Sequence, residues 1–529
     1  MRGIVLIVSL ICCIGLSGCD RGLDRAELIL INGAEPELLD PATITSQSTG
    51  RIAYAILEGL TIFDAEAKAR PGVAERWDVS PDGREYVFHL RRNARWSNGD
   101  PVQSEDFIYA WRRVLLPATG SEYASQLYPI SNAQAFNEGK ISDFALVGVQ
   151  SRDPWTLLVR LDNPTPYFPD LCAFVTYLPV HRKTVEAYSD WASRPAHFVG
   201  NGPFLLQQWR LFDRVRLVRN DSYWNASEIR LRSIDILPSA KASTAFNLYS
   251  TGQADLMLDK GLAPTFLMKD LLKRRDFHAS PFLGTYFIRF NCGRPPFSDP
   301  RVRLALSLVV DRDLIVKKIT RAGETPAFSF VPPGTGGGYM PPEGLERNPE
   351  RARALLAEAG FPGGKGFPAF EYLFKGDSDL DRDIAVEIQG MLKRELGIQM
   401  RLKAQEWTVY LAALSALDYD ICRSSWVADY NDPNTFLNMF VTGDGNNRTG
   451  WSCAAYDSLV ASAARGVDAS QRFEKFAQAE DILVRREAPV CPLYFYVGIQ
   501  FYDPEKLAGI YPNLLDEHPL RFLHWRSPK

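Results

Sequence analysis

Six histidines, His89, His181, His197, His278, His518 and His524, are scattered along the chain. No two share the HExxH spacing, or any other close spacing that would bring two imidazoles to one metal ion. No serine stands in a GxSxG elbow, so nucleophilic hydrolysis of that kind has no candidate. Gly360-Phe361-Pro362-Gly363-Gly364-Lys365-Gly366 is glycine-rich enough to suggest a phosphate loop. Its spacing is wrong, and Gly366 stands where a Ser or Thr would hold magnesium. Gly334 to Gly338 do not complete a dinucleotide fingerprint. Asp381 and Asp383 stand at helix-surface spacing and read as solvated carboxylates. Asp429 and Asp432, in Asp429-Tyr430-Asn431-Asp432-Pro433, read on turn statistics as turn formers. An enzyme is therefore not expected, and neither is a metal or a cofactor.

The thiols carry a different message. Arg2 precedes an apolar run from Ile4 to Leu16, and Leu16-Ser17-Gly18-Cys19 follows. A basic start, a short apolar core and small residues before a cut site make a secretory signal over residues 1–18. The run is shorter than the roughly 20 apolar residues of a membrane span. Leu-Ser-Gly-Cys resembles a bacterial lipobox, which implies lipidation of Cys19. Asp20 then implies retention on the inner membrane. The expected location is the periplasm, with the body tethered by lipid to the cytoplasmic membrane. Of the 8 cysteines, Cys172, Cys292, Cys422, Cys453 and Cys491 remain in the mature chain. An odd number in an oxidising compartment leaves at least one thiol unpaired within the chain.

The bulk numbers agree with a globular body. The chain has 529 residues, 46% hydrophobic and 23% charged, so more than one domain is expected. The formal charge of −3, or −4 once Arg2 is removed, is too mild for nucleic acid to be the ligand. Aromatic residues are 12%, enough for large cores and a ring-lined cleft together.

The elements that must position any site are mixed. Ala26 to Asn32 reads as a strand and Ser48 to Leu60 as a helix. Trp77 to Arg91 reads as a hairpin turning at Pro81-Asp82-Gly83. Ser104 is the expected cap of a helix with Phe107, Ala110, Trp111 and Val114 on one face. Trp155 to Leu161 and Arg214 to Arg219 read as strands. Asp299-Pro300 opens a helix expected to reach about Ile319. Further helices are expected from Asn348-Pro349 to Gly360, from Asp379 to Leu396, over Thr408 to Ala416, and over Arg472 to Glu487. Ile398 to Leu402, Asp418 to Cys422 and Val490 to Phe501 read as strands. Pro332 to Pro342, rich in Gly and Pro, reads as an exposed loop. No repeat of solenoid period is present.

Several blocks resemble the bacterial extracellular solute-binding proteins that feed peptide ABC transporters. The longest runs from Ala74-Glu75-Arg76-Trp77 through Ser80-Pro81-Asp82-Gly83 to Glu85-Tyr86-Val87-Phe88-His89-Leu90-Arg91. It continues over Trp96-Ser97-Asn98-Gly99-Asp100-Pro101-Val102 and Asp106-Phe107. Asn201-Gly202-Pro203-Phe204, Asn220-Asp221-Ser222-Tyr223-Trp224 and the stretch from Asn291 to Arg312 are similar as well. The resemblance implies an α/β fold of two lobes, the large type II binding-protein cluster with an extra subdomain, enclosing its ligand between the lobes. Subdomain I would comprise 20–52, 186–283 and 489–529, subdomain II 53–185, and subdomain III 284–488.

Within that family, Trp426-Val427-Ala428-Asp429-Tyr430-Asn431-Asp432-Pro433 is similar to the oligopeptide-binding branch. There an aspartate at the place of Asp429 pairs with the peptide's α-ammonium, and a buried cation does need a fixed anion. Arg423 would line the same cleft, either balancing Asp429 or meeting a ligand carboxylate; as a bare residue it reads as a surface ion pair. Trp407 and Trp426 match pocket walls, and Tyr123 would contribute from the facing domain. The lysine and histidine that the branch uses near peptide C-termini are Thr320 and Asp381 here, so C-terminal preference does not carry over. The family's disulfide positions fall at Gly284 and Val427, and Cys292 with Cys422 would be the replacement bridge. The implied function is capture of oligopeptides by a monomeric lipoprotein, which delivers them to permease subunits driven by ATPases. A dipeptide, a cell-wall peptide, haem or a chelated metal are alternative ligands, and a peptide-sensing receptor is an alternative role.

Overall fold

The computed structural model describes residues 25–239, 241–376 and 378–527. The expected leader and Cys19 lie outside them. One 11-stranded sheet spans the molecule. Its order is Met400–Gln405, Phe370–Lys375, Ile421–Val427, Phe277–Phe290, Val490–Tyr502, Leu256–Leu258, Leu28–Ile31, Ser233–Leu237, Arg214–Arg219, Phe204–Arg210. Thr325–Pro326 adds a short edge beside Val490–Tyr502. A second, four-stranded antiparallel sheet joins Ala74–Val79, Glu85–Leu90, Thr156–Arg160 and Val149–Asp153.

Two large cores make two lobes. The first gathers residues from Leu28 to Ile236 with Leu507 to Leu523. The second gathers most of Phe282 to Leu515. Only the antiparallel pair Phe277–Phe290 and Val490–Tyr502 runs from one lobe into the other within the sheet. Their pairing shifts register between Pro281 and Thr285 and again between Tyr286 and Phe287. Pro281 has no N–H to donate, so the ladder is interrupted where the lobes meet.

Local chemistry places most element ends where sequence places them, with informative exceptions. The helix Asp379–Leu396 stops at Gly397, whose φ of 69° is the left-handed region that glycine enters without a Cβ penalty. The helix Ser104–Leu115 buries Phe107, Ala110, Trp111 and Val114 as expected. Its cap is Gln103 rather than Ser104: Asp106 accepts from the Gln103 N–H at 2.8 Å, while the Ser104 hydroxyl bonds the Asp153 carbonyl. The helix that opens at Asp299 ends at Leu308, short of Ile319, because Asp311 starts a new turn by accepting from the Leu314 N–H. Asp381 is a clear correction. It is 2% exposed rather than solvated, because it heads the stripe Ile384, Ala385 and Ile388 that faces the core. The segment Pro332 to Pro342 is not simply exposed either. Thr335 and Tyr339 are buried, and Glu480 accepts from the Phe330 and Val331 N–H groups and from the Tyr339 hydroxyl.

The expected Cys292–Cys422 bridge is absent, and all five described cysteines are free thiols. Cys422 stands opposite Arg289, so Cys292 lies three residues along the neighbouring strand direction, roughly 10 Å away at about 3.3 Å per residue. A disulfide needs Cα atoms within about 7 Å. Gly284 and Val427 do face each other in register, but a Cβ on Gly284 would meet the Tyr496 ring at 2.7 Å. Burial pushes the Cys292 thiol up to about 11 and the Cys422 thiol up to about 12, which suppresses the thiolate that disulfide exchange requires. Alkylation after denaturation of protein exported to an oxidising compartment should therefore label Cys172, Cys292, Cys422, Cys453 and Cys491 without prior reduction. A Cys292–Cys422 disulfide-linked peptide in the digest would contradict this geometry.

Candidate functional site

The strand Ile421–Val427 ends at the junction of the lobes. The Ala428 N–H donates to the Leu283 carbonyl at 2.8 Å, and the chain then turns through Asp429-Tyr430-Asn431-Asp432-Pro433. Three of these side chains are committed to structure. Asp432 is buried in a two-point ion pair with Arg472, both contacts at 3.0 Å. Asn431 accepts from the Gly336 N–H at 2.7 Å, which ties the glycine-rich segment beneath the turn. Tyr430 crosses into the first lobe's core and stacks on Tyr167, with centroids 4.3 Å apart.

Asp429 is the exception. Among the described residues it has no ion pair; Gln126 Nε2 donates to its Oδ2 at 2.7 Å from the opposite lobe. Burial raises the Asp429 carboxyl to about 7, against the smaller opposing effect of that bond. The Gln126 backbone is itself held, since the Tyr177 hydroxyl donates to its main-chain carbonyl at 2.7 Å. Tyr123 lies close enough that Asp429 is the first cause of its raised hydroxyl pKa, ahead of burial. Its ring packs edge-on against Phe174 at 5.6 Å. Tyr54 adds a second hydroxyl, raised by burial first and then by the carboxylates of Glu517 and, less strongly, Asp429. Asp429 is thus a carboxylate without a cation beside Gln126, Tyr123 and Tyr54, and a buried anion in that state is stabilised by any cation that reaches it.

Arg423 does not balance Asp429. Its Nε lies 3.1 Å from Asp381 Oδ2, and its guanidinium sits 5.1 Å from the Tyr286 ring centroid. The Tyr286 hydroxyl donates to Asp381 Oδ1 at 2.8 Å. Burial, the largest single effect, lowers the Arg423 pKa; Asp381 together with the hydroxyls of Tyr286, Tyr496 and Tyr410 more than offsets it, and the net shift is upward. Trp426 faces Thr285 in register, is half-buried, and has an indole N–H with no hydrogen-bond acceptor among the described residues. Trp407 begins the helix Trp407–Ser415 and is 42% exposed. It stacks on Tyr410, whose hydroxyl donates to the Arg423 carbonyl. The structure thus brings Asp429 and Tyr123 together and joins Trp407 to Arg423 through Tyr410. Gln126, Tyr54 and Tyr286 escape a sequence reading. Gln126 lies within the short helix Ala124–Leu127, three residues beyond Tyr123, and nothing in that local sequence marks its role.

Two lobes enclosing an uncompensated anion are the architecture of a solute-binding protein. Residues 68–448 match the model of the bacterial extracellular solute-binding proteins, family 5, middle region, and the chain belongs to that family. The periplasmic oligopeptide-binding protein OppA of Salmonella typhimurium is 36% identical over 490 residues, 91% of this chain and 89% of that one. The murein tripeptide-binding protein MppA of Escherichia coli superposes with a TM-score of 0.85 at 32% identity, covering 95% and 99% of the two chains. OppA of Haemophilus influenzae, solved with the peptide RPPGFSPFR, superposes at 0.82 with 33% identity, covering 94% and 99%. These relatives are binding proteins of peptides by name. No helix among the described residues is long and apolar enough to cross a membrane.

Asp432 and Arg472 should behave as a structural pair rather than as ligand contacts. Asp432→Ala leaves Arg472 buried without an anion and should lower unfolding free energy by about 3–5 kcal/mol. Chemical denaturation measures this, and an unchanged midpoint would show the turn does not depend on the pair.

Proposed function

We propose that this protein captures oligopeptides in the periplasm as the lipid-anchored, monomeric binding component of an ABC transporter. It then delivers them to permease subunits driven by ATPases. One observation carries the peptide reading. Asp429 is a carboxylate inside the lobe junction with an amide partner and no cation, which is the complement of a peptide α-ammonium. The relatives named for oligopeptide and murein peptide binding support it. The lipobox-like Leu16-Ser17-Gly18-Cys19 supports the anchor.

On this reading the peptide lies extended between the lobes, and main-chain hydrogen bonds hold it independently of sequence. Trp426 and Trp407 offer ring surfaces to its side chains, and Arg423 marks the far reach of the same open strand face. The two long strands Phe277–Phe290 and Val490–Tyr502 act as the hinge, bending where their register breaks. No bond of the ligand is made or broken.

Calorimetry on the soluble body with short peptides of mixed sequence tests the reading, alongside mass analysis of whatever co-purifies. Asp429→Asn should weaken free-amine peptides by about 2–5 kcal/mol, and N-acetylated peptides should bind poorly to the parent protein. Equal affinity of acetylated and free peptides would remove Asp429 from the ligand. The pH dependence has a definite sign. Ammonium binding requires the carboxylate, and the Asp429 carboxyl sits at about 7. Below that value binding must first expel a proton, so affinity should fall as pH drops from 7 toward 5, by up to about tenfold per pH unit. The peptide amine keeps its charge over that range, since its own pKa is about 8. The fall should vanish in Asp429→Asn.

A further inference from the structure

Around Arg423 the second lobe concentrates buried polar atoms that no group of the described residues satisfies. They are the hydroxyls of Tyr372 and Tyr494, Asp381 Oδ2 and Arg423 Nε. Tyr372, Tyr494 and Asp381 are each at most 2% exposed. The ion pair between Arg423 and Asp381 is close at 3.1 Å, but it lies off the line that an N–H···O bond needs, so both atoms keep their hydrogen-bonding capacity.

The four groups belong to one neighbourhood. Tyr286 stacks on Tyr494 at 4.9 Å, bonds Asp381 and lies under the Arg423 guanidinium. Tyr372 stands opposite Ile421, on the face that Arg423 continues two residues along. That face is open: Arg423, Ser425 and Val427 alternate along a central strand, and each keeps part of its surface. Buried donors and acceptors left unmade are costly, and four in one place on an open strand face point to a partner from outside the chain.

The charge there is already spoken for. Asp381 balances Arg423, and Glu324, which accepts from the Thr320 hydroxyl at 2.7 Å, lies close enough to raise the Tyr494 hydroxyl further. A ligand carboxylate would meet one cation and two anions in a weakly hydrated place. A ligand cation would meet the guanidinium on the open side. An amide or hydroxyl supplies both a donor and an acceptor without charge.

We propose that Tyr372, Asp381, Arg423 and Tyr494 form a second ligand subsite that takes an uncharged hydrogen-bonding group, an amide or hydroxyl, and disfavours a free carboxylate. This rests on the peptide reading, and it makes the protein selective for peptides whose C-terminal carboxylate is blocked or lies outside this cluster.

Oligo-alanines of two to six residues, each as free acid and as C-terminal amide, test it by calorimetry. At the length that ends in the cluster, the amide should bind about tenfold more tightly than the acid, the scale of one unsatisfied buried group. Asp381→Asn should reverse that preference by removing the anion that opposes the acid. Tyr494→Phe, which removes one oxygen and keeps the ring, should weaken the amide and leave N-terminal selectivity intact. Equal binding of acid and amide at every length would overturn this inference alone. Failure of both forms at every length would overturn the peptide reading, and this inference with it.

Discussion

A carboxylate held inside protein without a cation is the constraint around which the lobe junction is arranged. Isolating such a charge is unfavourable, and the usual relief is protonation, visible in the rise of the Asp429 carboxyl to about 7. The surroundings prevent a cheaper solution. Asp432, three residues on, takes Arg472 for itself, and Asp381 takes Arg423. Tyr430 and Asn431 pin the turn on either side of those pairs, so Asp429 cannot swing to a cation elsewhere. The glycine-rich segment under the turn is held in place by Glu480, itself buried and raised to about 7. The cost of leaving one anion open is thus offset by several satisfied neighbours, which is how functional sites depart from local rules.

The two ionic centres of the cleft are opposites in design. Asp429 has geometry without charge balance; Arg423 has charge balance without hydrogen-bond balance. On the proposed reading the first discriminates by charge and the second by donor and acceptor count. On that reading a ligand spanning both brings one cation and, at its other end, polarity without charge. This division is consistent with a site that reads the ends of a chain and leaves its side chains largely unread.

Much of this was legible in the sequence, for identifiable reasons. The block Trp426 to Pro433 pointed to Asp429, and caps such as Asp299, Asn348 and Gly397 stand where their residue types put them. The strand Phe277–Phe290 was not legible. From Phe282 onward it is buried on both faces, so period-two alternation is lost, while Pro281, Gly284 and Arg289 interrupt the apolar run that such strands show. Asp381 was misread as solvated although it stands three, four and seven residues before Ile384, Ala385 and Ile388; the stripe was there, and the flanking Asp379 and Asp383 masked it. Gln126 has no local signal, because its role arises from a residue 303 positions away. The cysteine pairing failed because proximity in the sheet is set by register, and two cysteines on adjacent strands can still be three residues out of step.

The same contacts explain how a ligand could bias the lobes on the proposed reading. Several contacts across the junction need no ligand: Tyr430 on Tyr167, Asn434 Nδ2 to the Tyr167 hydroxyl at 3.0 Å, and Gln126 to Asp429. They favour closure by themselves. The uncompensated Asp429 opposes it, because closing deepens the burial of a charge. A ligand shifts such an equilibrium only through its differential interaction with the two arrangements. An ammonium on Asp429 has that property, since it converts an interaction that resists closure into one that rewards it. A ligand without a cation gains the neutral contacts but leaves the opposing charge in place, so selectivity for the α-amine and the drive to close become the same free-energy difference.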